Sequence, residues 1–260
     1  MYLLLYRNIP MTIKPIKTRQ FMPPKDDLFE LIRESVPQGR LQEGSILVVT
    51  SKIVAIGEGR CVKIDESTDK YALVKKEADE YLSKDKMPRE YSFVLTIKNN
   101  ILIPTAGIDE SNANGYYILW PQNPFISAKT IYNFLKKKFK LKKIGVIISD
   151  SHTTPLRFGT MGIAISFWGF NPLKDYRGSK DIFGRKLKVT QVNIADSLAA
   201  AAVATMGEGK EQMPMAIIED ITSIKFGSFD FLKKNPLVIK RKDDIYGPLL
   251  NAMKWAKGDK

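Results

Sequence analysis

The chain has 260 residues, 44% hydrophobic and 27% charged, with a formal net charge of +13. That length supports one large core or two modest ones, and no apolar run approaches the roughly 20 residues needed to cross a bilayer, so no membrane partner is expected. One cysteine (Cys61) and one histidine (His152) exclude an internal disulfide and thiolate or poly-histidine metal clusters; any metal is expected on oxygen ligands, as Mg²⁺ or Mn²⁺, in a reducing cytoplasm.

The opening MYLLLYRNIP is apolar but too short for a secretory signal. Residues 1–10 are set aside as an extra N-terminal segment, with Met11 as an alternative start. Thr12 to Ile16 is a predicted strand. Two prolines and Asp26-Asp27 then precede an apolar-periodic helix, and an acid there is a reasonable cap. Ile46 to Val49 is a buried strand. Ser51 and Lys52 follow it and offer a hydroxyl and a cation suited to phosphate, although an exposed lysine at a strand end is common.

Ala72 to Leu82 reads as an amphipathic helix. Strands Ser92–Ile97 and Ile101–Pro104 flank Asn99-Asn100, a hairpin turn. Next, Gly107-Ile108-Asp109-Glu110-Ser111-Asn112 is either an Asx-type turn or a metal carboxylate (Asp109) with a polar contact (Asn112). Tyr116 to Trp120 is a strand and Ser127 to Lys138 a helix. That helix runs into the lysines of Lys136–Lys143, which are favourable at a helix carboxyl end. Nucleic acid is the obvious partner of a basic chain, but no aromatic-interleaved surface accompanies these lysines, and it is not the expected one.

Ile144 to Ile148 is a short buried strand that delivers Asp150 and Ser151 to its carboxyl end, where sheet proteins bind ligands. A loop with Arg157 and a second apolar run, Ile163–Phe167, follow. Asp175, Arg177, Gly178, Asp181, Gly184 and Arg185 then fall within eleven positions, too polar for core. Leu187 to Val192 is another strand. Asp196 caps or begins a helix whose Ser-Leu-Ala-Ala-Ala-Ala run suits close packing, and that helix ends at Gly207, before Glu208. Met215 to Ile218 is a strand, and Tyr246 to Trp255 a final helix.

Several of these pieces resemble one family in order and spacing. They are Gly107–Asn112, Ser149-Asp150-Ser151, Pro155-Leu156-Arg157, Gly169-Phe170 through Asp175-Tyr176-Arg177-Gly178 to Phe183-Gly184-Arg185, Ala195–Ala202, and Met206–Gly209. Together they look like the coenzyme F420-0:gamma-glutamyl ligases, over roughly Ile13 to Ile218. The resemblance implies an α/β or α+β fold with mixed sheets in two intertwined lobes. The ligase unit spans residues 11–225, its second lobe is near 70–190, and 226–260 is a C-terminal extension. It implies a homodimer that adds L-glutamate through a γ-linked amide to a deazaflavin precursor, by way of an acyl phosphate, with GTP and divalent metal.

By the same resemblance, Asp109, Asp150, Ser151 and Glu208 hold metal. Arg19, Gln20, Phe21, Met22, Ser51, Lys52, Asn112, Gly207 and Gly209 bind the nucleotide, and Arg157, Arg177, Lys180 and Arg185 hold carboxylates and phosphates. Salt bridging to Asp175 and Asp181 is the plain alternative for the arginines. His152 is read as structural or substrate-facing. No P-loop consensus is present, so nucleotide binding rests on the resemblance alone.

The chain also departs from the pattern. Ile56 replaces a usual second lysine, Thr153-Thr154-Pro155-Leu156-Arg157 stands for Gly-Arg-Pro-Trp-Arg, and Ala164-Ile165-Ser166 lacks an expected glycine. A reshaped acceptor pocket follows, with a folate extended by γ-glutamates as the second reading. An inactive nucleotide- or RNA-binding relative is the third.

Overall fold

The computed structural model describes residues 10–87, 93–222 and 224–259. In chain order the elements are β1 (Thr12–Ile16), α1 (Leu28–Ser35), β2 (Ser45–Thr50), α2 (Ser51–Gly57), β3 (Cys61–Lys63), α3 (Lys70–Glu77), β4 (Glu80–Tyr81), β5 (Leu95–Lys98) and β6 (Ile101–Pro104). They continue with β7 (Tyr116–Ile118), α4 (Pro124–Phe139), β8 (Ile144–His152), β9 (Met161–Trp168), β10 (Leu173–Asp175), β11 (Gln191–Asn193), α5 (Ile194–Met206), β12 (Met215–Glu219), α6 (Gly247–Ala252) and β13 (Ala256–Lys257). The mixed α/β architecture expected from the sequence is what forms.

The main sheet has the order β1-β12-β2-β8-β9, and β2–β8 is its one parallel pair. Every residue of β2 except Thr50 is buried, as expected of a strand covered on both faces. Helices α4 and α5 both pack on β8 and β9. The alanine run of α5 does pack closely: a Cβ at Gly162 of β9 would lie 2.5 Å from the Ala199 carbonyl oxygen.

A smaller sheet, β13-β4-β5-β6, has its own apolar cluster around Val74, Val94, Ala106 and Leu119. Asn99 and Asn100 both take positive φ in the turn joining β5 to β6, as a tight hairpin requires. The C-terminal segment belongs to both regions. Phe226, Phe229, Phe231 and Leu237 pack on the main core, and β13 pairs with β4.

Several expected boundaries move. The helix expected over Ala72–Leu82 ends at Glu77, because Glu80 and Tyr81 pair with β5 and β13. The strand expected from Ser92 begins, among the described residues, at Leu95; Ser92 itself lies outside them. The Tyr116–Trp120 strand stops at Ile118, where its pairing with β3 ends. The strand expected over Leu187–Val192 is reduced to Gln191–Asn193, since only β10 is there to pair with. The cap of α5 is Asn193, not Asp196. Asn193 accepts from the Asp196 N–H and donates its amide back to the Asp196 carboxylate, a reciprocal capping arrangement. The final helix spans only Gly247–Ala252.

Candidate functional site

Pairing of β2 with β8 builds the site. In the parallel register Thr50 stands beside Ser149, so Ser51, which follows β2, and Asp150, near the end of β8, are neighbours although 99 positions apart. Ser51 Oγ thereby donates to Asp150 Oδ1 at 3.1 Å. The β8–β9 register shifts between Ile148 and Ser149. A bulge at that point re-aims the side chains that follow it. The Ser149 hydroxyl, buried at the wall, finds no hydrogen-bond partner among the described residues.

Two loops complete the wall. In the turn after β6, Asp109 Oδ1 accepts from the Ser111 N–H at 2.7 Å and the Ser111 hydroxyl at 2.8 Å. Its Oδ2 meets the Lys52 ammonium at 2.8 Å. The Asx turn and the cavity-facing carboxylate are therefore one feature. After α5, Gly207 turns the chain at φ +82°, where a Cβ would lie 2.5 Å from Glu211 Cδ. Glu208 then accepts from the Ser151 hydroxyl at 2.6 and 2.8 Å. Asn112 Nδ2 donates to the Gly209 carbonyl at 2.9 Å and ties the two loops together.

These groups line one cavity of about 540 Å³. Its wall includes Arg19, Gln20, Phe21, Met22, Ser51, Lys52, Asp109, Asn112, Asp150, Ser151, Gly207, Glu208 and Gly209. Every residue expected to bind nucleotide or metal is there. A separate cavity of about 480 Å³ between α1, α2 and α4 shares none of them. Its acids are otherwise engaged: Asp26 on Arg19, Asp27 on the α1 cap, and Glu58 on the Ser127 hydroxyl and Gln122 N–H.

The electrostatics divide the two aspartates of the wall. Burial works to raise the Asp109 carboxyl, but the Lys52 ammonium and the Ser111 donors leave it below its ordinary value. Asp150 is pushed up to about 6, chiefly by burial. The Trp120 indole N–H and the Ser51 hydroxyl oppose that rise, and the charge of Asp109 adds to it. Among the described residues no three acidic, histidine or cysteine side chains already form a coordinating group. Arg19 is engaged by Asp26 at 2.6 and 2.9 Å and by Glu34 at 3.1 Å, with its guanidinium 5.8 Å from the Phe21 ring.

Four expected residues are not on this wall. Arg157, Arg177, Lys180 and Arg185 are exposed on the loops at 153–160 and 176–190. Arg177 forms the salt bridge that was the alternative reading, to Asp175 at 2.6 Å. Instead of pairing with the Arg185 guanidinium, Asp181 accepts its backbone N–H at 2.9 Å. His152 is also off the wall; burial lowers it from its ordinary value against the opposing charge of Asp196.

Wall or support residues that sequence reasoning missed include Ser149, Lys210 and Trp120. Lys210 had a signal, since it directly follows Gly209. Trp120 had none, because its role depends on a contact 30 positions away. Ile56 is 2% exposed and packs with Ala55, Ala113 and Ile118, so the usual lysine is replaced by an apolar wall.

A family model described as F420-0:Gamma-glutamyl ligase matches residues 16–220. A protein of Methanopyrus kandleri named coenzyme F420:L-glutamate ligase is 33% identical over 224 residues, covering 81% of this chain and 87% of that one. Relatives of the same name from Methanocaldococcus jannaschii and Archaeoglobus fulgidus are 34% and 30% identical. Each covers 83% of this chain, with 89% and 90% of the relative matched.

Proposed function

The chain belongs to the F420-0:gamma-glutamyl ligase family and is an enzyme of that ligase type; from that premise we propose that it joins L-glutamate by a γ-linked amide to coenzyme F420-0, using GTP and Mg²⁺ or Mn²⁺. The observation that carries the reading is the shared cavity. Lys52, Asp109, the adjacent Asp150 and Ser151, and Glu208 come from four separate segments, yet all line it. The relatives reported all carry the deazaflavin coenzyme's name, which favours that acceptor over a folate.

The donor set fits a hard divalent cation. Asp109, Asp150 and Glu208, with the Ser51 and Ser151 hydroxyls, supply oxygen alone. When bound, such an ion would offset charge on the triphosphate and its leaving group. In the proposed reaction an acceptor carboxylate oxygen attacks the γ-phosphorus of GTP, giving an acyl phosphate and GDP. The glutamate amine then attacks the acyl carbon, phosphate leaves, and the amine's surplus proton passes to water. Lys52 and Lys210 are the cations on the wall that suit phosphate oxygens. Phe21 and Ile56 give it an apolar surface for a base.

A homodimer is part of this proposal. Leu156, Phe158, Ile182, Phe183 and Val189 are between 84% and 107% exposed. So many large apolar groups on two loops suit an interaction surface, and a second copy covers it in the proposed assembly.

The test is phosphate release from GTP with L-glutamate and either F420-0 or tetrahydrofolate, with products weighed by mass spectrometry. A glutamylated deazaflavin is the expected product. Phosphate release only with the folate would overturn the acceptor, and dependence on ATP rather than GTP would overturn the nucleotide.

A further inference from the structure

Asp150 is gripped from behind. Trp120, 1% exposed, donates its indole N–H to Asp150 Oδ2 at 2.5 Å. Trp120 is itself held at two points, its backbone carbonyl and its ring. Arg60 Nε donates to the Trp120 carbonyl at 3.1 Å, and the Lys98 ammonium lies 5.2 Å from the ring centroid. Glu77 accepts from Arg60 at 2.7 and 2.8 Å and from Lys98 at 2.8 Å.

Lys98 is only 5% exposed, and burying an ammonium is costly unless its partners are well placed. The backbone also makes room for the ring. Gly107 takes φ +71°, and a Cβ there would lie 2.0 Å from Trp120 Nε1. A buried indole N–H needs an acceptor, so a purely structural contact is the competing explanation. The buried Lys98 ammonium beside the ring and the Arg60–Glu77 pair on the Trp120 carbonyl argue the other way, since an apolar core position needs none of them.

We propose that Trp120 is a positioning residue of the ligation site: its N–H occupies Asp150 Oδ2 and leaves Oδ1, which also accepts from the Ser51 hydroxyl of the wall, as the oxygen presented to the cavity and to a divalent cation. Glu77, Arg60 and Lys98 hold the indole in that pose. The inference rests on the reading of Asp150 as a metal ligand. Partners that orient a ligating group from outside the coordination sphere change metal affinity by about 10–100-fold.

The experiment measures Mn²⁺ binding by electron paramagnetic resonance, together with steady-state kinetics. It compares the full chain with Trp120→Phe, Asp150→Asn and the double variant. Trp120→Phe keeps a ring and removes the donor; it is expected to weaken Mn²⁺ binding about ten-fold or more. It is also expected to lower kcat while KM for glutamate stays within about two-fold. The double variant is expected to bind Mn²⁺ no worse than Asp150→Asn alone, because Trp120 acts through that carboxylate.

Wild-type Mn²⁺ affinity and kcat in Trp120→Phe would overturn the proposal, as would a further full loss in the double variant. Should Asp150→Asn bind Mn²⁺ like wild type, the metal assignment of Asp150 fails first and the role of Trp120 falls with it. A variant that does not fold leaves the wild-type chain to decide. Labelled with 5-fluorotryptophan, its three tryptophans give separate ¹⁹F signals, assigned with Trp168→Phe and Trp255→Phe. Broadening of the Trp120 signal ahead of the other two on Mn²⁺ addition is expected; broadening that spares it overturns the proposal.

Discussion

Lys52 holds Asp109 at 2.8 Å and also meets the Ser111 carbonyl at 2.7 Å, so this cation and this carboxylate of the wall partly neutralise each other. Asp150 has no such cation and is held by neutral donors. Asp150→Asn keeps the shape and removes the charge. It is expected to lower metal-dependent turnover about 100-fold or more, on the scale of several kcal/mol for metal charge stabilisation. Its thermal melting is expected to stay cooperative; full activity would make Asp150 structural.

Asp175 lies off the cavity wall. Hydrogen bonds from Arg177 hold its carboxyl down at about 2. A depressed carboxyl contributes stability that is complete above its unfolded value and is lost as pH falls towards about 2. In Arg177→Ala, NMR titration is expected to find Asp175 moved up towards the ordinary carboxylate range. An unchanged titration would refute the Arg177 cause.

At the scale of elements, the site depends on strand ends more than on helices. The parallel β2–β8 pair sets which residues meet, and the bulge beside Ser149 sets how they are aimed. Helix α5 then brings Glu208 to the same place by lying close on β9, which requires Gly162. Gly162→Val would force added atoms against the Ala199 carbonyl and the Val203 side chain. A loss of about 1–3 kcal/mol is expected from such overpacking, read as a lower denaturation midpoint. Because the strain sits at the α5 contact, Mn²⁺ affinity is expected to weaken as well.

Across the whole molecule, the C-terminal segment ties the main core to the smaller sheet. Phe231, 5% exposed, stacks or tilts against Phe229 at 5.5 Å, Phe167 at 4.8 Å and Trp168 at 5.5 Å. Further on, Arg241 and Lys257 meet Glu80 of the smaller sheet at 2.8 and 3.2 Å. Phe231→Ala is expected to cost about 3–5 kcal/mol, checked by equilibrium unfolding. That value would mark residues beyond the family match as part of the core. The exposed apolar loops predict association: sedimentation is expected to find a dimer for the wild type and a monomer for a Leu156→Ser, Phe158→Ser, Phe183→Ser variant. A wild-type monomer would remove the proposed assembly.

By itself the sequence determined the elements whose signals are local. The buried run Ile46–Val49, the Asn99-Asn100 turn, the Asp27 cap and the alanine helix all follow from propensity, periodicity or one hydrogen bond between near neighbours. Motifs also identified the acids, because their residue types and spacing survive without knowledge of contacts. Only the tertiary structure decided the rest. Helix α3 stops early because strands distant in the chain claim Glu80 and Tyr81, and Lys52 pairs with an acid 57 residues away because two loops meet. Trp120 takes its meaning from Asp150, and Arg157 and Arg185 stand off the wall because their loops project from it. Each of these is a long-range contact, whose free energy depends on which surfaces the folded chain brings together and so has no local pattern to announce it.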